Sequence, residues 1–139
     1  MDYRIYKLFF AVFIVFTTVN LFASDTSRTN SDIAVCNLIN GIKSENEGLK
    51  RSAVYFAGKY AVQGTCDELV ELFKRENNPS TRILITQALY KIKDALAMEK
   101  VYELIEKDPD AKVRRIGKSI YETYKLDNYT AEEFVVEVH

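Results

Sequence analysis

Residues 108–115 read Asp108-Pro109-Asp110-Ala111-Lys112-Val113-Arg114-Arg115. An acid, a proline and a second acid precede a run free of helix breakers, and an Arg stands six residues after the first acid. Asp is favoured at a helix start, where its oxygen meets unsatisfied N–H groups and the positive end of the dipole, and Pro109 sits just outside that start. The stretch therefore reads as a turn between two helices and the opening of the second. Working back along the chain, the same spacing recurs in Glu76 with Arg82 and in Glu45 with Arg51, and the three arginines lie 31 and then 32 residues apart.

The apolar residues keep the same period. Ile33, Leu38, Ile39 and Ile42 form one helical face, Leu69, Val70, Leu72 and Phe73 a second, and Val101, Leu104 and Ile105 a third. Leu38, Leu69 and Val101 are again 31 and 32 residues apart, as are Ile42, Phe73 and Ile105. A second set of helices begins at Gly48 to Arg51, Pro79 to Arg82 and Asp110 to Arg114. Its core positions Ala53, Ala57 and Tyr60 correspond to Leu84, Ala88 and Lys91 and to Ile116, Ile120 and Thr123, while Ala57, Gly58, Ala88 and Gly117 are small enough for close helix contact. A period in the range of about 20 to 50 residues marks a solenoid, in which each unit buries its apolar face only against its neighbours.

The 108–115 stretch and the three acid-to-Arg spacings resemble the HEAT-repeat family, particularly its short bacterial form related to phycobilin lyase repeats. The resemblance covers about residues 32–125; the third unit fits best, and the first has Glu45-Asn46 where the family favours Asp-Pro. It implies an antiparallel helix pair per unit, with the Arg-bearing helices lining the concave surface and the others the convex one, and it implies binding as the usual activity. The expected fold is all-α: a right-handed α-solenoid of three HEAT-like hairpins, in units of about 32–62, 63–94 and 95–125, preceded by a signal peptide and closed by a capping tail over 126–139.

The composition narrows the chemistry. The 139 residues include one His (His139), two Cys, no Trp and five Gly, which leaves little for a metal cluster, a Gly-rich phosphate loop or His-dependent catalysis. No catalytic residue, metal or cofactor is expected. Residues 1–23 place Arg4 and Lys7 before the apolar run Leu8 to Phe16 and end in Leu21-Phe22-Ala23, the order of a cleavable secretory signal. The alternative is an uncleaved inner-membrane anchor, although 16 mostly apolar residues fall short of the roughly 20 a spanning helix needs. Export to the periplasm or cell envelope follows, with a polar linker over 24–31 ending in a helix cap at Ser31 or Asp32. Loss of Asp2, Arg4 and Lys7 takes the net charge from −1 to −2, which disfavours nucleic acid and anionic lipid as partners.

The candidate sites follow from the register. The ladder Glu45, Arg51, Glu76, Arg82, Asp108 and Arg114 reads as structural, capping helices and tying adjacent repeats by charge-assisted hydrogen bonds. On the concave face, Ser52, Tyr55 and Lys59 correspond to Ile83, Thr86 and Tyr90 and to Arg115, Lys118 and Glu122. Tyr55, Lys59, Tyr90, Arg115 and Lys118 are the expected partner contacts, since Tyr and Arg dominate interface energetics; an ordinary solvated face is the alternative. Cys36 and Cys66 are expected as two buried or half-buried thiols, with a bridge or a reactive or lipidated Cys as the alternatives. Glu132 and Glu133, like Asp108 and Asp110, read as acids at helix N-termini, Thr130 with Glu133 has capping-box spacing, and residues 130–138 suit either helix or strand. The expected function is that of an exported, non-catalytic interaction module holding a protein or peptide. A cofactor-handling, lyase-like role and a self-assembling envelope protein are the alternatives.

Overall fold

Four short polar side chains set the helix starts. Asn46 accepts from the Leu49 N–H at 3.0 Å, Asn78 from Ser80 at 2.9 Å, Asp94 from Ala97 at 2.8 Å, and Asp110 from Lys112 at 2.8 Å and Val113 at 3.1 Å. Each satisfies an N–H with no partner inside its own helix. The computed structural model describes residues 31–136, with side chains through Asn128. Within it lie α1 (31–42), α2 (Glu47–Lys59), a 3₁₀ turn (Gln63–Thr65), α3 (Cys66–Arg75), α4 (Pro79–Ile92), α5 (Ala95–Glu106) and α6 (Ala111–Val136). The expected signal segment 1–23, nearly all of the linker and His139 lie outside the described residues.

The chain divides into a unit of residues 1–36 and one of 37–139. The first contributes only the opening of α1 to the described residues; Ser31 and Asp32 are already helical there. In the second, α3 packs against α4 and α5 against α6 as hairpins, while α2, α4 and α6 form one layer and α3 and α5 the other. Contacts between α2 and α4 keep a nearly constant offset, Arg51 meeting Thr81 and Gly58 meeting Ala88, so the two helices run parallel in register. This is the all-α helical solenoid that the period predicts.

The core takes in many of the periodic positions but not all: Ile33 is 58% exposed, and Ile85, Leu89 and Met98 join it from outside the aligned set. Ile42, Leu69, Leu72, Ile85, Leu89, Met98, Val101 and Ile105 are fully buried. Helix α4, between α2 and α6, is apolar on most of its circumference, and eight of its fourteen residues are buried. A Cβ on Gly58 would stand 2.7 Å from the Ala88 Cα, so a hydrogen at that position is what lets α2 and α4 approach. At the far end Tyr102 and Tyr121 stack with centroids 3.9 Å apart, and the Tyr121 hydroxyl donates to Glu99 at 2.7 Å, locking α5 to α6. Burial, then the Glu99 hydrogen bond, pushes the Tyr121 phenol up to about 12.

Several expectations require correction. Tyr60 is 65% exposed and Lys91 and Thr123 are exposed, whereas Ile92 and Tyr124, one residue on, are buried, so the core face of α4 and α6 lies one residue further round than the aligned positions suggest. The Ile83 and Thr86 positions, expected on the open face, are buried because α4 has a helix on either side. Residues 130–136 are helical, and α6 runs unbroken across the expected boundary at 126. Thr130, Glu132 and Glu133 therefore lie in its last turns and not at a helix start. Whether the tail covers core residues depends on side chains after Asn128, outside those described.

Candidate interaction surface

The ladder residues meet differently from their sequence pairing. Arg82 reaches back only to the backbone of its own turn, donating to the Glu76 carbonyl at 2.8 Å. Its remaining edge faces the next turn: Nη2 donates to Asp108 Oδ1 at 2.9 Å and Nε stands 2.7 Å from Oδ2. Both side chains are under a tenth exposed. Asp108 Oδ1 also accepts from the Asp110 N–H at 2.9 Å, and Glu76 Oε1 from Asn78 at 2.8 Å, so each acid shapes its own turn while binding the previous unit's cation. At the first junction that cation is Lys50, which donates to Glu76 at 3.0 Å and also to Glu47, while Arg51 donates to Thr81 at 2.7 Å. Burial raises the Glu76 carboxyl, but the Asn78 N–H and Lys50 outweigh it and hold it below its ordinary value. The Glu47 and Glu76 hydrogen bonds raise Lys50. Arg114 donates to the Asp108 and Pro109 carbonyls, and Glu45 is exposed.

With Glu76, Arg82 and Asp108 turned inward, the open face of the α2/α4/α6 layer carries other groups. Tyr55 and Phe56 on α2 and Tyr60 at its C-terminal cap are 47%, 40% and 65% exposed. Tyr55 meets Phe56 edge-on at 5.4 Å, and Phe56 stacks on Tyr60 at 6.0 Å. The Lys59 ammonium lies 6.0, 6.0 and 5.4 Å from the Tyr55, Phe56 and Tyr60 ring centroids. Rings held this way cost little rotamer entropy on binding and present large apolar faces.

Between α4 and α6 lies a hollow of about 350 Å³ lined by Gln87, Tyr90, Lys91, Ile120 and Thr123. Tyr90 is half-buried there, its hydroxyl donating to Asp127 at 2.6 Å, so it is a wall and a strut more than a free contact. Arg115 and Lys118 on α6 are exposed. Of the five expected contacts, Tyr55 and Lys59 thus stand in the aromatic cluster, Tyr90 forms the hollow, and Arg115 and Lys118 lie on the surface of α6. Phe56, Tyr60, Lys91 and the hollow were missing from the expected set. The aromatic run Tyr55-Phe56 with Tyr60 one turn on was the available sign.

The two layers differ in charge. Helix α4 contains no acidic residue, and no ion pair among the described residues engages Lys91, Arg115 or Lys118. On α3 and α5, Lys74 pairs with Glu71, Arg75 with Glu68 at 2.8 Å and Lys100 with Asp67 at 4.0 Å. Both cysteines are free; Cys66 is buried as expected, but Cys36 is exposed and not the half-buried thiol the register suggests. Burial, with Asp94 nearby, pushes the Cys66 thiol up to about 12, which keeps it protonated and unreactive. Among the described residues no acid, His or Cys group is arranged to hold a metal, and no helix is long and apolar enough to cross a membrane.

The family model for HEAT repeats matches residues 36–119, from the middle of α1 into α6. The chain belongs to the HEAT-repeat family. HEAT repeats are generally scaffolds for protein interaction, typically without catalysis of their own. No curated protein and no solved structure matches the chain.

Proposed function

We propose that the protein is an exported, non-catalytic adaptor that holds a segment of another protein on the α2/α4/α6 face. The observation that carries this is the exposed cluster of Tyr55, Phe56 and Tyr60 around Lys59. Three large rings turned to water on one helix and its cap are unfavourable for an isolated domain, and are the residue types that anchor partners. Export rests on the leader-like order of residues 1–23, with destination in the periplasm or cell envelope.

The test is crosslinking and capture from envelope extract with the chain from Ser24 onward, against a Tyr55→Glu, Phe56→Ser, Lys91→Glu variant whose helical circular dichroism is unchanged. Loss of a specific protein with the variant supports the adaptor; an unchanged set of captured proteins removes this face from the function. Export is checked separately by the mass of the chain recovered after fractionation. A product beginning at Ser24 outside the cytoplasm is the expected result, and a full-length chain in the inner-membrane fraction would mean a retained anchor.

A further inference from the structure

We propose that the segment held on this face is an acidic linear stretch with an aromatic or aliphatic anchor, its carboxylates meeting Lys91, Arg115 and Lys118 and its anchor seated between the α2 rings and the α4/α6 hollow. This rests on the adaptor reading and adds the chemistry of the partner.

Charge placement is the first support. The cations of the α3/α5 layer are neutralised within it, whereas Lys91, Arg115 and Lys118 face solvent without ion pairs in the described residues. α4 offers no carboxylate to pair them, and Glu122 of α6, exposed one turn beyond Lys118, makes no ion pair with it in the described residues. An acidic segment supplies that counter-charge, and a basic one is repelled.

Shape is the second. Tyr60, at the C-terminal cap of α2, and Lys91 and Thr123, on α4 and α6, hold equivalent places 31 and 32 residues apart, which sets the rings and the hollow at one level of the layer. A dry cavity of about 150 Å³ takes a benzene ring, so the 350 Å³ hollow accommodates a large apolar side chain with its surroundings. A row of ring cluster, cation and hollow selects alternating apolar and acidic side chains. A uniform polyanion leaves the hollow unfilled.

The test is fluorescence anisotropy with protein purified after expression of the full chain. The probe is a labelled peptide alternating Glu with Phe and Leu. Controls are the same peptide with Lys for Glu, one with Ser for Phe and Leu, and a single-stranded oligothymidylate. Binding of the first probe is expected to weaken by about tenfold or more, equivalent to about 1.4 kcal/mol, in a Lys91→Glu, Lys118→Glu variant and separately in Phe56→Ser, Tyr60→Ser, and to weaken with added salt. Equal binding of the Lys peptide or the Ser peptide, preference for the oligonucleotide, or unchanged binding by both variants overturns the proposal. If the acidic probe shows no preference while the envelope capture still fails with its own variant, the adaptor reading stands and only this chemistry falls. If the capture is also unaffected, both fall.

Discussion

Arg82 carries the junction between the second and third hairpins. Its guanidinium binds the Glu76 carbonyl behind it and the Asp108 carboxylate ahead, with both side chains shielded from water. Removing one partner of such a pair leaves a buried charge without compensation. Arg82→Met is therefore expected to lower unfolding free energy in urea by about 3 to 5 kcal/mol, whereas Arg51→Ala, which loses one hydrogen bond to Thr81, should cost about 1 kcal/mol. Equal losses would mean the buried pair is no stronger a tie than the half-exposed one. Gly58→Ala tests backbone approach in the same way. Alanine is the better helix former, yet its methyl would meet the Ala88 Cα at 2.7 Å, an atom that moves only with its helix. A loss of about 1 to 3 kcal/mol is expected, and a gain would show that α2 and α4 are free to separate.

Each element is tied to the next unit by charge, and that sets the acid response. Glu76 and Glu68 are both held below their ordinary value of 4.5: burial opposes this, but the Asn78 N–H and Lys50 prevail at Glu76, and Arg75 and Lys43 at Glu68. Near pH 4 the unfolded chain then binds more protons than the folded one. The stability these groups supply is present above about pH 4.5 and is lost as pH falls through their folded values. Lys50, raised above 10.5, has the opposite sign, and its contribution is lost only as alkaline pH passes its folded value. Lys50→Met should shift the acid limb of a stability-versus-pH curve upward, because burial of Glu76 remains while its cation is gone; an unmoved limb would place the acid response elsewhere. The helix pairs were legible in the sequence because core positions such as Leu69 and Val101 repeat at a fixed offset. The partners of the ladder were not, since a repeated offset gives register within each unit but not which neighbour a long side chain reaches. Arg82 thus pairs with the acid 26 residues ahead instead of the one six behind. Ile83 and Thr86 were misplaced for a related reason: α4 shares the pattern of α2 and α6 but is covered on two sides.

In the unit of residues 37–139, α4 is the element that the others require. It meets α2, α3, α5 and α6, and Ile85 and Leu89 at its centre are fully buried. A repeat protein is stabilised by nearest-neighbour interfaces, and with only three hairpins the middle one belongs to both. Loss of either interface exposes apolar surface that no single hairpin can cover. Folding should therefore be one cooperative event despite the repetitive sequence. Ile85→Ala is expected to cost about 2 to 5 kcal/mol and to shift the urea midpoint equally whether followed by far-ultraviolet circular dichroism or by tyrosine fluorescence. Hydrogen exchange gives the complementary measurement: α4 amides should exchange only through global unfolding, at the full unfolding free energy, while the exposed end of α2 near Tyr60 opens at lower cost. Two separated transitions, or α4 amides no slower than those around Tyr60, would show hairpins unfolding one at a time. In that case the row formed by the α2 rings and the α4/α6 hollow would not persist as a single docking surface.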